Sequence, residues 1–172
     1  MNDNRKKYAE LALGLGAEDA VAFDIEDIVF DSRTRLKCQY GCGDWGRNHT
    51  CPSRPGSPSM EQYREMFSRY SWGVIIHSHD KARSQKISLA VQQQAFEDGY
   101  YFAFSLADCA CCPQGCAAAI GEPCRFVELA RPAFHSVGID VFATVHRFGL
   151  PLRTLFDPGK EEQNWYSAVF VE

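Results

Sequence analysis

Apolar residues at Tyr8, Leu11, Ala12 and Leu15 recur at the spacing of one helix face, so Arg5 to Leu15 predicts an amphipathic helix that Gly16 is placed to stop. Ala20 to Phe30 carries Val21, Phe23, Ile25, Ile28 and Val29, alternates in its first half and has no helical period, which reads as a strand. From Cys38 to Pro58 the pattern breaks down: four glycines, three prolines and three cysteines predict a loop that regular backbone hydrogen bonding cannot order. Ser59 and Gln62 have the spacing of a capping box, and Met60, Tyr63, Met66, Phe67 and Tyr70 then share a helical face. Trp72 to His77 is a short apolar run of strand length, Ser84 to Glu97 a helix with Ile87, Ala90, Val91, Ala95 and the neighbouring Phe96 inward, and Tyr100 to Leu106 a second buried strand after Gly99. A strand, a helix-length crossover and a strand in succession predict a parallel unit. Beyond it, Arg125 to Ala130 reads as a short helix, Pro132 suits the first position of another, and Asp140 to His146 and Trp165 to Val171 read as strands.

These elements predict the α/β class: a small mixed or largely parallel sheet with flanking helices and two cysteine-rich loops, at 38–58 and 109–124. A chain of 172 residues is expected to form one domain over its whole length, large enough to bury a hydrophobic core without covalent staples. There is no internal repeat beyond the two cysteine-rich stretches.

Charge and composition narrow the chemistry. Lys and Arg number 18 against 22 Asp and Glu, a formal charge of −4, and no basic run interleaves with aromatics, which argues against a nucleic-acid partner. No stretch approaches a membrane span, and the N-terminus lacks the form of a signal peptide, so a cytoplasmic location is expected. In a reducing compartment, eight clustered cysteines point to metal ligation ahead of disulfides, and the adjacency of Cys111 and Cys112 fits poorly with independent bridges.

All eight cysteines fall in two groups, Cys38-x3-Cys42-x8-Cys51-Pro52 and Cys109-x-Cys111-Cys112-x3-Cys116-x7-Cys124. Short spacers lower the loop-closure cost of converging several thiolates on one centre. Structural zinc favours paired C-x2-C knuckles, and only Cys109 and Cys112 form one. Iron–sulfur clusters favour compact four-cysteine runs with a proline after a ligating cysteine, which the set Cys109, Cys112, Cys116 and Cys124, together with Cys51-Pro52, matches better. The expected cofactor is therefore a 4Fe-4S cluster, one or two per chain, with zinc as the alternative. Two clusters require Cys111 to join Cys38, Cys42 and Cys51. If it does not, the N-terminal group leaves an iron open to substrate chemistry. Glycines 41, 43, 46, 115 and 121 let backbone N–H groups approach sulfur, or simply serve turns.

At these residues the sequence resembles a family of predicted cysteine-rich metal-binding proteins of bacteria and archaea, a domain of unknown function. The matching pieces are Cys38-x3-Cys42 with Gly46 and Cys51-Pro52, the Gly99-Tyr100 step into a strand, Pro123-Cys124-Arg125, and Arg131-Pro132 leading to Gly138-Ile139-Asp140-Val141 and Thr144, over roughly residues 38 to 150. Ala133, Phe134 and His135 depart from the small and acidic residues expected after Arg131-Pro132, and Cys111 is an extra cysteine. The resemblance implies metal or iron–sulfur binding and supplies no reaction.

Among other polar residues, His49 reads first as simple loop polarity, with a fourth ligand or neighbour of one as the alternative, and Arg47, Arg125 and Arg131 either balance thiolate charge or are ordinary solvated arginines. His77-Ser78-His79-Asp80 reads first as a polar strand end, and His135 and His146 as structural. No phosphate loop, nucleophile elbow or HExxH helix is present. The function expected is single-electron transfer with a redox partner protein; a zinc-stabilised interaction module and an enzyme with an open iron are the alternatives.

Overall fold

The computed structural model describes residues 3–172. Helix α1 (Asp3–Gly14) leads to strand β1 (Asp19–Asp24), after which α2 (Thr34–Gly41) and α3 (Met60–Phe67) precede β2 (Trp72–Ser78), α4 (Lys81–Glu97) and β3 (Phe104–Leu106). Helix α5 (Val141–His146) and strand β4 (Trp165–Phe170) complete the chain, with single 3-10 turns at Ile25–Asp27, Ala117–Ile120 and Phe134–Val137.

The sheet has the order β1-β2-β4-β3, and every neighbouring pair is antiparallel. The largely parallel sheet expected from sequence is thus corrected. Strands β2 and β3 do point the same way across the α4 crossover, but the C-terminal strand β4 lies between them and pairs with both. The misreading has a physical origin. All seven residues of β2 are buried, because both faces of the sheet are covered, and a continuous apolar run of that kind is commonest in parallel sheets.

Alternate residues of the central strands feed two cores. Ile75, Tyr166, Ala168 and Phe170 pack on one face with Phe67 of α3, Phe134, Val137 and Val145 of α5. Val74, Ile76 and Val169 pack on the other with Tyr8 and Ala12 of α1 and Ile87, Val91 and Ala95 of α4. Each strand therefore sends successive side chains to opposite layers of helix.

The capping box forms as read: Ser59 Oγ accepts the Gln62 N–H at 3.2 Å while Gln62 Oε1 accepts the Ser59 N–H at 2.8 Å. Other readings change, and of the residues expected inward on α4, Ala90 and Phe96 are exposed. Ala20 to Phe30 is a strand only to Asp24, beyond which the chain tightens into a 3-10 turn. Asp140 to His146 is helix α5, not a strand, because the Asp140 side chain accepts the Ala143 N–H at 3.0 Å and caps it. Arg125 to Ala130 is a turn at 127–129, not a helix, and Pro132 lies two residues before a four-residue 3-10 turn that begins at Phe134. The Cys38 to Pro58 stretch is not loop from its start, since Cys38 lies on α2 and Cys42 is the residue that ends that helix. The strand expected from Tyr100 begins only at Phe104. Among the described residues no helix is long and apolar enough to cross a membrane.

The two ends of the helical layer are tied by charge. Asp98, just past α4, accepts from Lys7 Nζ at 2.5 Å and from the Tyr8 hydroxyl at 2.7 Å, and these two bonds hold its carboxyl below the usual range. A carboxyl lowered in the folded state stabilises the fold above its unfolded pKa, and the contribution fades as pH falls through the folded value. Asp98→Asn is therefore expected to flatten the loss of stability as pH falls through and below the ordinary carboxylate range, about pH 4. Denaturant unfolding across that window checks it, and an unchanged slope contradicts it.

Candidate metal centre

All eight cysteines carry free thiols. The first group is assembled by α2 and the chain that follows it. Cys38, on the buried face of α2, points its Sγ at the His135 carbonyl, 3.9 Å away in the 3-10 turn of the apolar core. Burial raises the Cys38 thiol to about 11, and the nearby charges of Cys42 and Cys51 add to it, so these three thiols share one neighbourhood. Asp108, immediately before Cys109, adds a smaller contribution in the same direction.

Cys51 is buried and its sulfur is surrounded by donors. The Gly46 N–H reaches it at 3.5 Å and Ser53 Oγ stands at 3.0 Å. Gly46 has φ +78°, a conformation that favours glycine, and this turn aims its N–H at the sulfur; both readings of that glycine hold at once. Arg35 fixes the frame, donating to the Pro52 carbonyl at 2.8 Å with its guanidinium 4.8 Å from the Trp45 ring centre.

The second segment leaves the end of β3 and is held by α4. Gln85, almost wholly buried, accepts the Ala110 N–H at 2.7 Å and donates from Nε2 to the Leu129 carbonyl at 2.8 Å and to Cys111 Sγ at 3.3 Å. Cys109 and Cys111 sulfurs lie 3.8 Å apart, and Cys111, with Cys112 also near, is raised to about 11, first by burial and then by the charge of Cys109. The residues that perturb Cys111 are thus its own neighbours Cys109 and Cys112, whereas Cys38 responds to Cys42 and Cys51. Thiols raised in this way are protonated at neutral pH, so a cation that binds them must displace protons.

Arg131 is the buried cation of this region. Its Nε donates to Gln92 Oε1 at 3.1 Å and Ser105 Oγ at 3.0 Å, its Nη1 donates to the carbonyls of Glu128 and Ala130, and Phe104 lies under the guanidinium at 5.4 Å. Burial lowers its pKa while Cys111 and Cys109 oppose that shift, which sets a fixed positive charge beside the thiols. Arg47 and Arg125 are exposed and make no such arrangement.

The two segments are stitched through His49. Its backbone N–H donates to Cys116 Sγ at 3.3 Å, and its ring Nε2 stands 2.8 Å from the Glu122 carbonyl, two residues before Cys124. Cys124 and His49 border one open cavity of about 720 Å³, shared with Tyr63 and Phe104. Among the described residues no three His, Cys, Asp or Glu side chains already form a closed metal-holding set.

The remaining histidines belong to the scaffold. His77 is buried between Asp19 Oδ2 at 2.8 Å and Asn164 Oδ1 at 2.7 Å and stacks on Tyr166, while Asp80 caps α4 by accepting the Arg83 N–H. His79 contacts the Gln163 carbonyl, and His146 that of Leu152.

Sequence reading missed Gln85, Gln92, Ser53 and Asp108. A signal existed for the first: Ser84, Gln85 and Ser88 are polar, yet interleave with the inward Ile87 and Val91 of α4, where an unpaired polar group is costly. Gln85→Leu is expected to release the 109–112 segment and weaken metal binding roughly tenfold to a hundredfold. Competition against a chelator under anaerobic conditions measures this; unchanged affinity contradicts the role.

Residues 21–171 match the model of a family described as predicted metal-binding protein (DUF2284), whose function is unknown. No curated protein and no solved structure matches the chain.

Proposed function

This chain belongs to that family of predicted metal-binding proteins, and we propose that it holds one or two 4Fe-4S clusters on its cysteines and passes single electrons to a partner protein. The observation that carries the reading is the meeting of two thiol-rich segments far apart in sequence, joined by the 3.3 Å contact from the His49 N–H to Cys116 Sγ. Such a cluster would supply one-electron chemistry on soft thiolate ligands.

The residues present fit that chemistry. Cys109, Cys112, Cys116 and Cys124 would hold one cluster, and Cys38, Cys42 and Cys51 the other, while Cys111, its sulfur 3.8 Å from that of Cys109, stays with the second segment as an additional thiol. Polar hydrogens already face sulfur from Gly46, His49 and Gln85, and N–H donors directed at ligating sulfur stabilise the reduced, more negative state and raise the potential. Arg131 adds positive charge in the same sense. Cys42 is exposed, and the second segment and the turn that follows it carry exposed apolar residues Ile120, Phe126, Val127 and Leu129, which suits a partner docking close to the thiols. We read the chain as a single cytoplasmic domain.

Anaerobically purified protein is expected to be brown, with a broad visible absorption that bleaches on adding dithionite. Colourless protein carrying stoichiometric zinc overturns the redox reading and favours a zinc-stabilised interaction module, for which the paired spacing of Cys109 and Cys112 is the supporting feature.

A further inference from the structure

His49 carries an unexplained atom. Its Nδ1 is buried and has no hydrogen-bond partner, while its Nε2 faces the Glu122 carbonyl at 2.8 Å. A carbonyl oxygen only accepts, so Nε2 bears the proton, and in the neutral ring Nδ1 is left with a bare lone pair. A buried acceptor without a partner costs stability, and native folds retain few of them. The arrangement has a well-known use: a metal-ligating histidine donates its second ring N–H to a backbone carbonyl or carboxylate, which fixes tautomer and ring plane and leaves the other nitrogen free to coordinate.

The surroundings supply the rest. The His49 backbone is 3.3 Å from Cys116 Sγ, Cys51 is two residues on, and the Glu122 carbonyl that orients the ring is two residues before Cys124. The loose polarity of an exposed loop residue explains none of these three facts. Resting on the metal-binding reading above, we infer that His49 Nδ1 is a nitrogen ligand at the centre of Cys116 and Cys124, where it takes the place of one of the Cys109 and Cys112 thiolates and gives that centre a mixed sulfur and imidazole donor set. Imidazole in place of thiolate removes one negative charge from the centre and raises its potential, as histidine does at iron in centres of mixed ligation. The same residue closes the Cys38 to Pro58 stretch onto the 109–124 stretch, so binding a cation and locking the two segments together become one event.

Two substitutions separate ligation from scaffolding. His49→Gln keeps a side-chain N–H able to reach the Glu122 carbonyl but offers no imidazole nitrogen. His49→Cys gives up that hydrogen bond but offers a soft donor. Metal content after anaerobic chelator competition, together with the visible spectrum, is read for both and for the wild-type chain. Ligation predicts that His49→Gln loses affinity at one centre by at least about a hundredfold, and that His49→Cys stays within roughly tenfold of wild type with an altered spectrum. Retention of metal by His49→Gln and loss by His49→Cys overturns the inference and leaves metal binding standing. Equal loss in both variants, with normal circular dichroism, also overturns it, assigning His49 to shape alone. A wild-type chain that binds no metal overturns this inference and the reading beneath it together.

Discussion

Cys51→Ala is expected to weaken metal binding roughly a hundredfold or more. Structural zinc sites release about 10–16 kcal/mol on binding, and on that scale one ligand of four accounts for roughly 3 kcal/mol, or about two powers of ten. Cys51 is the sharpest place to look because its sulfur sits in a prepared site. It is 9% exposed, Ser53 Oγ stands 3.0 Å away, and the Gly46 N–H points at it from 3.5 Å. An apolar methyl in its place leaves the Gly46 N–H and the Ser53 hydroxyl without their sulfur partner. The companion Ser53→Ala leaves the thiol in place and removes one polar neighbour, so it should fall between the wild type and Cys51→Ala. Metal quantified after dialysis against a graded chelator series gives the order; if Cys51→Ala holds metal as tightly as wild type, the N-terminal group is not a ligand set.

Gly73→Ala is expected to be the most damaging single change to the fold, costing about 3 kcal/mol. Gly73 lies in β2 at the centre of the sheet, opposite Phe23 on one side and Phe170 on the other. A Cβ there would stand 2.7 Å from Phe23 Cε1 and closer still to Phe23 Cζ and the Val169 carbonyl oxygen. The carbonyl belongs to β4 and cannot retreat without opening the ladder between the two central strands. Phe23 cannot swing away either, since it is buried and packs edge-on against Phe170 with ring centres 5.1 Å apart. A penalty of that size corresponds to a fall in melting temperature of roughly 6–12 °C in a chain of this length. Gly14→Ala is the control. It ends α1 with open space around the added methyl, and alanine there should stabilise by about 0.5–1 kcal/mol. Thermal melts of the pair under identical conditions test the contrast, and two changes of the same sign and size contradict it.

What the sequence revealed was mostly what local chemistry decides. Ser59 and Gln62 announce a helix start because both partners lie within one turn, and the folded chain makes both bonds. Asp140 carries a comparable signal, yet Val141, Phe142 and Val145 favour strand by propensity, and the cap on Ala143 prevails only because Val145 finds a place in the core behind it. The position of β4 was not legible at all. Ser78 pairs with Trp165 across 87 residues, and nothing in either segment states which neighbour it will take.

The candidate centre divides along the same line. Cysteine spacing is a local property, so the two groups were visible at once. The side chains that shape them come from elsewhere: Gln85 from α4, Arg131 from the turn after the second segment, and the Glu122 carbonyl that orients His49. In a bare sequence Gln85 resembles any surface glutamine, and only its burial between Ala110, Cys111 and Leu129 shows that it organises the thiols.

The most direct test of the account is the iron and acid-labile sulfide content of protein purified and kept without oxygen. The account predicts iron and sulfide in equal amounts, about four or about eight of each per chain. Protein whose thiols all titrate as free, with neither iron nor sulfide after growth and purification in iron-replete, oxygen-free conditions, would contradict it.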